Sequence, residues 1–107
     1  MSDTFEHIKR LVRAGSVRIS EHGYDELVAD DIRFRDIVEG IRDGTVVEDC
    51  PDYPKGPCVL VLQGDRNGNP IHVLWGIPKG HSEPAVVVTA YRPAPEQWQD
   101  GFMRRRG

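Results

Sequence analysis

Four histidines, His7, His22, His72 and His81, are spread along the 107-residue chain. Histidine's unperturbed pKa, about 6.5, lets it both accept and donate a proton near neutral pH, so these are the first residues to weigh as general acid or base. Arg92 adds a fork of donors matched to a phosphate or a developing oxyanion, and Tyr91 beside it has a ring that can orient or stack on a base. Each has a plainer use as well. His22 follows Ser20-Glu21 at a helix start, where the dipole favours the neutral imidazole a base requires, and where it could equally cap or cover the preceding strand. His72 sits mid-strand among apolar neighbours, a setting that also suits a buried, hydrogen-bonded structural histidine. His81 lies in the loop Lys79-Gly80-His81-Ser82, exposed for function or simply solvated. Tyr91 could wedge against Trp98, and Arg92 could pair with Glu96 or with acidic helices.

Other chemistry is poorly represented. Cys50 and Cys58 flank a Pro/Gly-rich loop and could meet across a strand pair, but one bridge in a chain without a signal sequence is weak ground for oxidation, and both are read as free thiols. Combined with His72 and His81 they give Cys-x7-Cys and His-x8-His, which match no compact zinc spacing, so no metal and no cofactor is assigned. Gly64-Asp65-Arg66-Asn67-Gly68 is a hairpin rather than a phosphate loop, and there is no Gly-x-Ser-x-Gly.

The elements that must hold these residues follow from periodicity. Phe5, Ile8, Leu11 and Val12 recur at helical spacing, with Asp3 or Thr4 as N-cap and Gly15 as the stop. Val17-Arg18-Ile19-Ser20 alternates as a short strand and delivers Ser20 as the cap of a second helix carrying Tyr24, Leu27 and Val28 on one face. Asp30-Asp31 can cap a third, with Phe34, Ile37, Val38 and Ile41 on one face and Gly44 in a left-handed C-terminal conformation.

Beyond Gly44 the period becomes strand-like: Thr45–Asp49, Cys58–Gln63, Ile71–Ile77 and Ala85–Tyr91. An Asn67-Gly68 turn with positive φ at both positions joins the second to the third. Parity puts His72, Leu74 and Gly76 on one face, opposite Ile71, Val73, Trp75 and Ile77; in the last strand it groups Tyr91 with Ala85, Val87 and Thr89. Pro93 and Pro95 end that strand so that Trp98 can fold back as a lid. The expected fold is α+β, with N-terminal helices packed on a four-stranded, mainly antiparallel sheet.

One domain is expected over residues 1–103, with 104–107 as a basic tail, and a chain of this length buries roughly two thirds of its unfolded surface. No apolar run reaches the ~18 residues of a membrane span and no signal sequence precedes the first helix, so the cytoplasm is the expected compartment. The net charge of −3 is unevenly spread: Ser16 to Pro54 carries four basic and eleven acidic residues, a net of −7, whereas Ile71 to Gly107 carries five basic and three acidic, a net of +2. The acidic middle favours basic partners. The end, Arg104-Arg105-Arg106, could touch nucleic acid or an acidic protein, or be a solvated tail.

As a set, Ile19-Ser20-Glu21-His22, Ile32, Asp36-Ile37, Gly44 with Val46-Val47-Glu48-Asp49, Ile71-His72-Val73, and Val88-Thr89-Ala90-Tyr91-Arg92-Pro93 with Pro95 and Trp98 resemble the family catalogued as domain of unknown function 4258. That family looks related to the RelE/BrnT-type toxins of bacterial type II toxin–antitoxin systems. The resemblance implies a toxin-like, metal-independent ribonuclease, with an antitoxin protein and RNA as partners; the alternative it leaves is a non-catalytic protein-interaction domain of the same fold. Carried over, the family's two histidines fall on His22 and His72; with Arg92 to hold phosphate and Tyr91 to assist, read from their residue types, they make the candidate catalytic set, and the exposed loop and basic end offer Lys79, His81, Arg104 and Arg105 as RNA contacts. The chain departs from the pattern where basic residues often stand four and eight positions after the first histidine, here Glu26 and Asp30. It departs again where an acidic residue commonly separates Tyr91 from Pro93, here Arg92.

Overall fold

The computed structural model describes residues 2–107. Helix α1 (Asp3–Arg13) is capped by Ser2 rather than by Asp3 or Thr4: its hydroxyl accepts from Phe5 N at 3.0 Å. Serine here has the extended backbone a cap requires, while Asp3 and Thr4 are already helical. Strand β1 (Val17–Ile19) leads into α2 (Glu21–Ala29), capped by Ser20 as its sequence suggests. Helix α3 (Phe34–Gly40) tightens into a 3-10 turn, Ile41–Asp43. Gly44 then departs from expectation, with φ −72° in extended backbone. Glycine serves there for space, since a Cβ would come within 2.6 Å of Val61 Cγ1.

The sheet has five strands rather than four, in the order β1-β5-β4-β3-β2, formed by β1, β2 (Thr45–Cys50), β3 (Cys58–Gly64), β4 (Pro70–Gly76) and β5 (Ala85–Tyr91). Strands β2 to β5 pair antiparallel with one another. The added strand is β1, which pairs parallel with β5 through Val17↔Ala85 and Ile19↔Val87, a contact too distant in sequence for local alternation to reveal. A separate two-stranded ribbon, β6 (Trp98–Gln99) and β7 (Arg104–Arg105), follows. Between β3 and β4 only Gly68 takes positive φ; the loop Asp65–Asn69 is instead organised by the Asp65 carboxylate, which accepts from Asn67 N and Asn69 N, both at 2.9 Å.

All three helices lie on one sheet face. Phe5 and Ile8 of α1, Leu27 of α2 and Ile37 of α3 meet Val59, Val61, Val73, Trp75 and Val87 of the strands. Burying each such side chain stabilises by about 1.5–3 kcal/mol. Within this core Gln63 donates to Ile37 O at 2.9 Å and accepts from Trp75 Nε1 at 2.8 Å, so the indole and one helical carbonyl are both satisfied. Helix α2 corrects the periodicity: only Gly23 and Leu27 are buried, whereas Tyr24 and Val28 are 59% and 65% exposed. Gly23 explains the tilt. It lies so close to β5 that a Cβ would stand 2.7 Å from Val87 O, so the helix seats itself on its glycine side.

Two bulges decide what faces away from the helices. In β5 the pairing steps from Leu74↔Thr89 to Trp75↔Val87, leaving Val88 unpaired; in β2 it steps from Val46↔Val61 to Glu48↔Leu60, leaving Val47 unpaired. An extra residue reverses strand parity. Tyr91 therefore leaves the face of Val87 and joins His72, its direct cross-strand partner, and Glu48 is brought to the same open face opposite Leu60.

Candidate active site on the open sheet face

Trp98 is turned back over this face by Pro93 and Pro95 and packs edge-on against His72, with ring centroids 4.3 Å apart. Beside it lies a cleft of about 500 Å³. Leu60, Leu74 and Thr89 line it together with the polar groups Glu48, Tyr91 and Arg105.

His72 lies behind the cleft and is fully buried. Its Nε2 is 2.9 Å from Phe102 O and its Nδ1 is 3.2 Å from Tyr91 Oη. A carbonyl can only accept, so the proton sits on Nε2, and Nδ1 receives the Tyr91 hydroxyl. Burial lowers the His72 pKa below the usual histidine value; the hydrogen bond to Phe102 O and the Glu48 carboxylate oppose this, and Arg105 adds to it. Burial also raises the Tyr91 pKa, so its phenol stays protonated at neutral pH. The result is a neutral chain, Tyr91 to His72 to Phe102 O, whose outer end opens on the cleft.

Arg105 sits across from it. Its Nε and Nη2 donate to the two Glu48 carboxylate oxygens at 3.0 and 3.2 Å, and its guanidinium stacks on Trp98 at 4.7 Å. The side chains of Arg105 and Glu48 are 61% and 44% exposed, which makes the pair an openable surface bridge of about 0–1 kcal/mol. The arginine run therefore does not trail from the domain at this point: Arg105 is part of the cleft wall, and Arg104 pairs with Asp100 at 3.2 Å.

The other sequence candidates lie elsewhere. Arg92 is one residue past Tyr91 and faces the helical side. There its backbone N–H donates to Asp30 Oδ2 at 2.8 Å, Nε to Asp30 O at 3.1 Å, Nη2 to Asp31 O at 3.2 Å and Nη1 to Asp65 Oδ2 at 3.1 Å. Arg92 thus ties β5 to the α2–α3 connection and to the β3–β4 loop. Burial would raise the Asp65 pKa, but the N–H groups of Asn69 and Asn67 and the Arg92 guanidinium outweigh it and hold the carboxyl below its usual value. His22 is exposed in the first turn of α2, with Nε2 3.7 Å from Glu26. Lys79 and His81 are exposed in the β4–β5 connection, where Lys79 N donates to Lys55 O at the opposite end of β4 from His72. Among the described residues no three or more His, Cys, Asp or Glu side chains gather as a metal would need.

The two departures from the resembled pattern are thereby connected. The Asp30 carboxylate accepts from the Arg92 backbone N–H while the Arg92 guanidinium pairs with Asp65, and Glu26 stands 3.7 Å from His22 on the exposed face of α2. Glu48 is a cleft residue that residue-type reasoning left without a role, and Trp98, expected as a lid, is one to which it gave no part in a site. Glu48 is brought there by a bulge, and Trp98 by a ribbon that pairs with the last arginines.

A second cavity, about 530 Å³ between α1 and α3, is lined by Lys9, Arg13 and Arg42 with Glu39 as its one carboxylate. It holds no histidine or tyrosine. The cleft on the sheet is where a carboxylate, a phenol and a guanidinium stand together.

Fold and site define a small α+β domain that covers one face of a bulged sheet with helices and leaves a polar cleft on the other. Residues 19–92 match the family model described as Domain of unknown function (DUF4258), and the chain belongs to that family. No curated protein and no solved structure matches the chain. Among the described residues no helix is long and apolar enough to cross a membrane.

Proposed function

We propose that this chain is a toxin-like component of a bacterial type II toxin–antitoxin pair, related to RelE/BrnT proteins, and that it cleaves RNA without metal in the cleft on the open sheet face. The observation that supports this reading is the meeting of Glu48, Tyr91 and Arg105 in one cleft, backed by the buried His72. Cleavage of an RNA strand by its own 2′-hydroxyl needs a base for that hydroxyl, an acid for the departing 5′-oxygen and a cation for the charge gathering on phosphorus.

Glu48 takes the 2′-hydroxyl proton as the 2′-oxygen bonds to phosphorus. The phosphorus–5′-oxygen bond breaks, and Tyr91 delivers a proton to that oxygen, leaving a 2′,3′-cyclic phosphate and a 5′-hydroxyl. Arg105 turns from Glu48 to the phosphate, which the weakness of their exposed pairing allows. Turning away uncovers the Trp98 ring, a surface on which a base can stack. His72 holds the Tyr91 phenol at the edge of the cleft, and the hydroxyl turns from His72 Nδ1 to the 5′-oxygen to give up its proton. The overall charge is acidic, but β4, β5 and the ribbon come from the segment with net charge +2. Purified protein cutting single-stranded RNA to cyclic-phosphate ends, with loss on Glu48→Gln and on Tyr91→Phe, is the expected result.

A second reading, a non-catalytic domain that binds a basic protein, is favoured by one feature. Tyr24 and Val28 stand exposed one turn apart on α2, among Glu21, Asp25 and Asp31, and a basic amphipathic segment would fit them. A basic residue on that surface, as in Val28→Lys, would abolish partner binding and leave RNA cleavage intact if both readings hold. Absence of cleavage with partner binding retained would leave this second reading alone.

A further inference from the structure

The β2–β3 ladder closes on Cys50↔Cys58, its last pair before the loop Pro51–Pro57. Directly opposed residues of an antiparallel pair have Cα atoms about 4.5–5.5 Å apart. A disulfide accepts roughly 4.4–6.8 Å. Opposed residues share a sheet face, so both thiols project to the same side, that of Glu48 and Leu60. Both are free, and they differ in access: Cys50 is exposed on the edge strand, whereas Cys58 is half-buried on the inner one. The loop between them is held, through Lys79 N donating to Lys55 O at 3.2 Å and Ile77 N to Pro57 O at 3.0 Å, so the two strand ends cannot drift apart freely.

We propose that Cys50 and Cys58 form a reversible dithiol–disulfide site, oxidised by a low-molecular-weight disulfide such as glutathione disulfide, with Cys50 as the attacking thiol and Cys58 as the resolving one. The thiolate of Cys50 attacks one sulfur of the oxidant and expels a glutathione thiolate, giving a mixed disulfide. Cys58, having lost its proton, then attacks the Cys50 sulfur and expels the second glutathione. Two protein thiols are oxidised by two electrons, one disulfide bond is reduced and two glutathione molecules leave.

The order of attack follows from surroundings. Burial raises the Cys58 pKa, and the neighbouring Cys50 and Asp49 raise it further, so Cys58 is a slow first nucleophile. Once Cys50 carries the mixed disulfide its negative charge is gone, and Cys58 attacks a sulfur directly across the ladder. Reaction therefore quickens as pH rises.

The test treats the purified chain with glutathione disulfide and follows intact mass and free thiols. The expected product is a monomer lighter by two hydrogen atoms, restored by dithiothreitol, with a Tm about 5–10 °C higher for the short loop closed. Cys58→Ser should hold one glutathione on Cys50. A lasting glutathione adduct on the unaltered chain, a disulfide-linked dimer, or two thiols that remain free would each overturn the proposal. Because the wild-type mass carries the result, misfolding of a variant does not obscure it.

Discussion

Replacing His72 by Phe removes a ring that satisfies two groups at once, the Tyr91 hydroxyl and the Phe102 carbonyl. Each lost bond costs about 1 kcal/mol, and more if its partner stays dry, so the variant should be about 2–3 kcal/mol less stable at pH 7. The deficit should also depend on pH. Burial lowers the folded pKa of His72 below its unfolded value of about 6.5. Below pH ~6.5 the unfolded chain then binds a proton that the folded chain refuses, and wild-type stability falls by up to about 1.4 kcal/mol per pH unit. His72's contribution is thus present in full above pH ~6.5 and fades as the pH falls towards the lowered folded value. Phe cannot titrate, so the gap between wild type and variant should narrow steadily as the pH falls from 7 to 5. Urea unfolding at half-unit pH steps, followed by far-UV circular dichroism, measures both curves. A deficit constant across this range would refute a neutral, buried His72.

Arg92→Ala should lower stability by about 1–2 kcal/mol, discounted for partial exposure, and Arg92→Lys should restore little, since a single ammonium nitrogen lacks the spread fork that reaches Asp30 O, Asp31 O and Asp65 Oδ2 from three separate nitrogens; differential denaturation checks both. Asp65 contributes its stability above the ordinary carboxylate range near 3.9 and loses it as pH falls through the lowered folded value, and Arg92→Ala should make that acid loss smaller. Gly23→Ala would set a methyl 2.7 Å from Val87 O and should cost about 1–3 kcal/mol, with a falling Tm as the readout.

The sequence made the helices and the antiparallel strands legible because each buries one regular face, and local spacing reports that directly. Ser20 as a cap and Ala85–Tyr91 as a strand are local facts of this kind. Tyr24 and Val28 misled, because the seat of α2 is set by Gly23 against the β5 backbone and not by the widest apolar arc. Strand β1 was visible as a segment, but its place in the sheet depends on a partner far along the chain. The cleft was harder still. Its chemistry depends on Val47 and Val88 falling outside the pairing, and a single extra residue sends Glu48 and Tyr91 to the opposite face from the one parity assigns. His72 was readable as a satisfied buried histidine; that Trp98 and Phe102 would enclose it required the ribbon formed with the terminal arginines.

The most direct measurement is end-group analysis of single-stranded RNA incubated with the purified chain in chelator, with Glu48→Gln, Tyr91→Phe and His22→Ala beside it. The account predicts 2′,3′-cyclic phosphate ends from the wild type and from His22→Ala, and none from folded Glu48→Gln or Tyr91→Phe. Uncut RNA with all four proteins, or cleavage that survives both cleft substitutions, would contradict it.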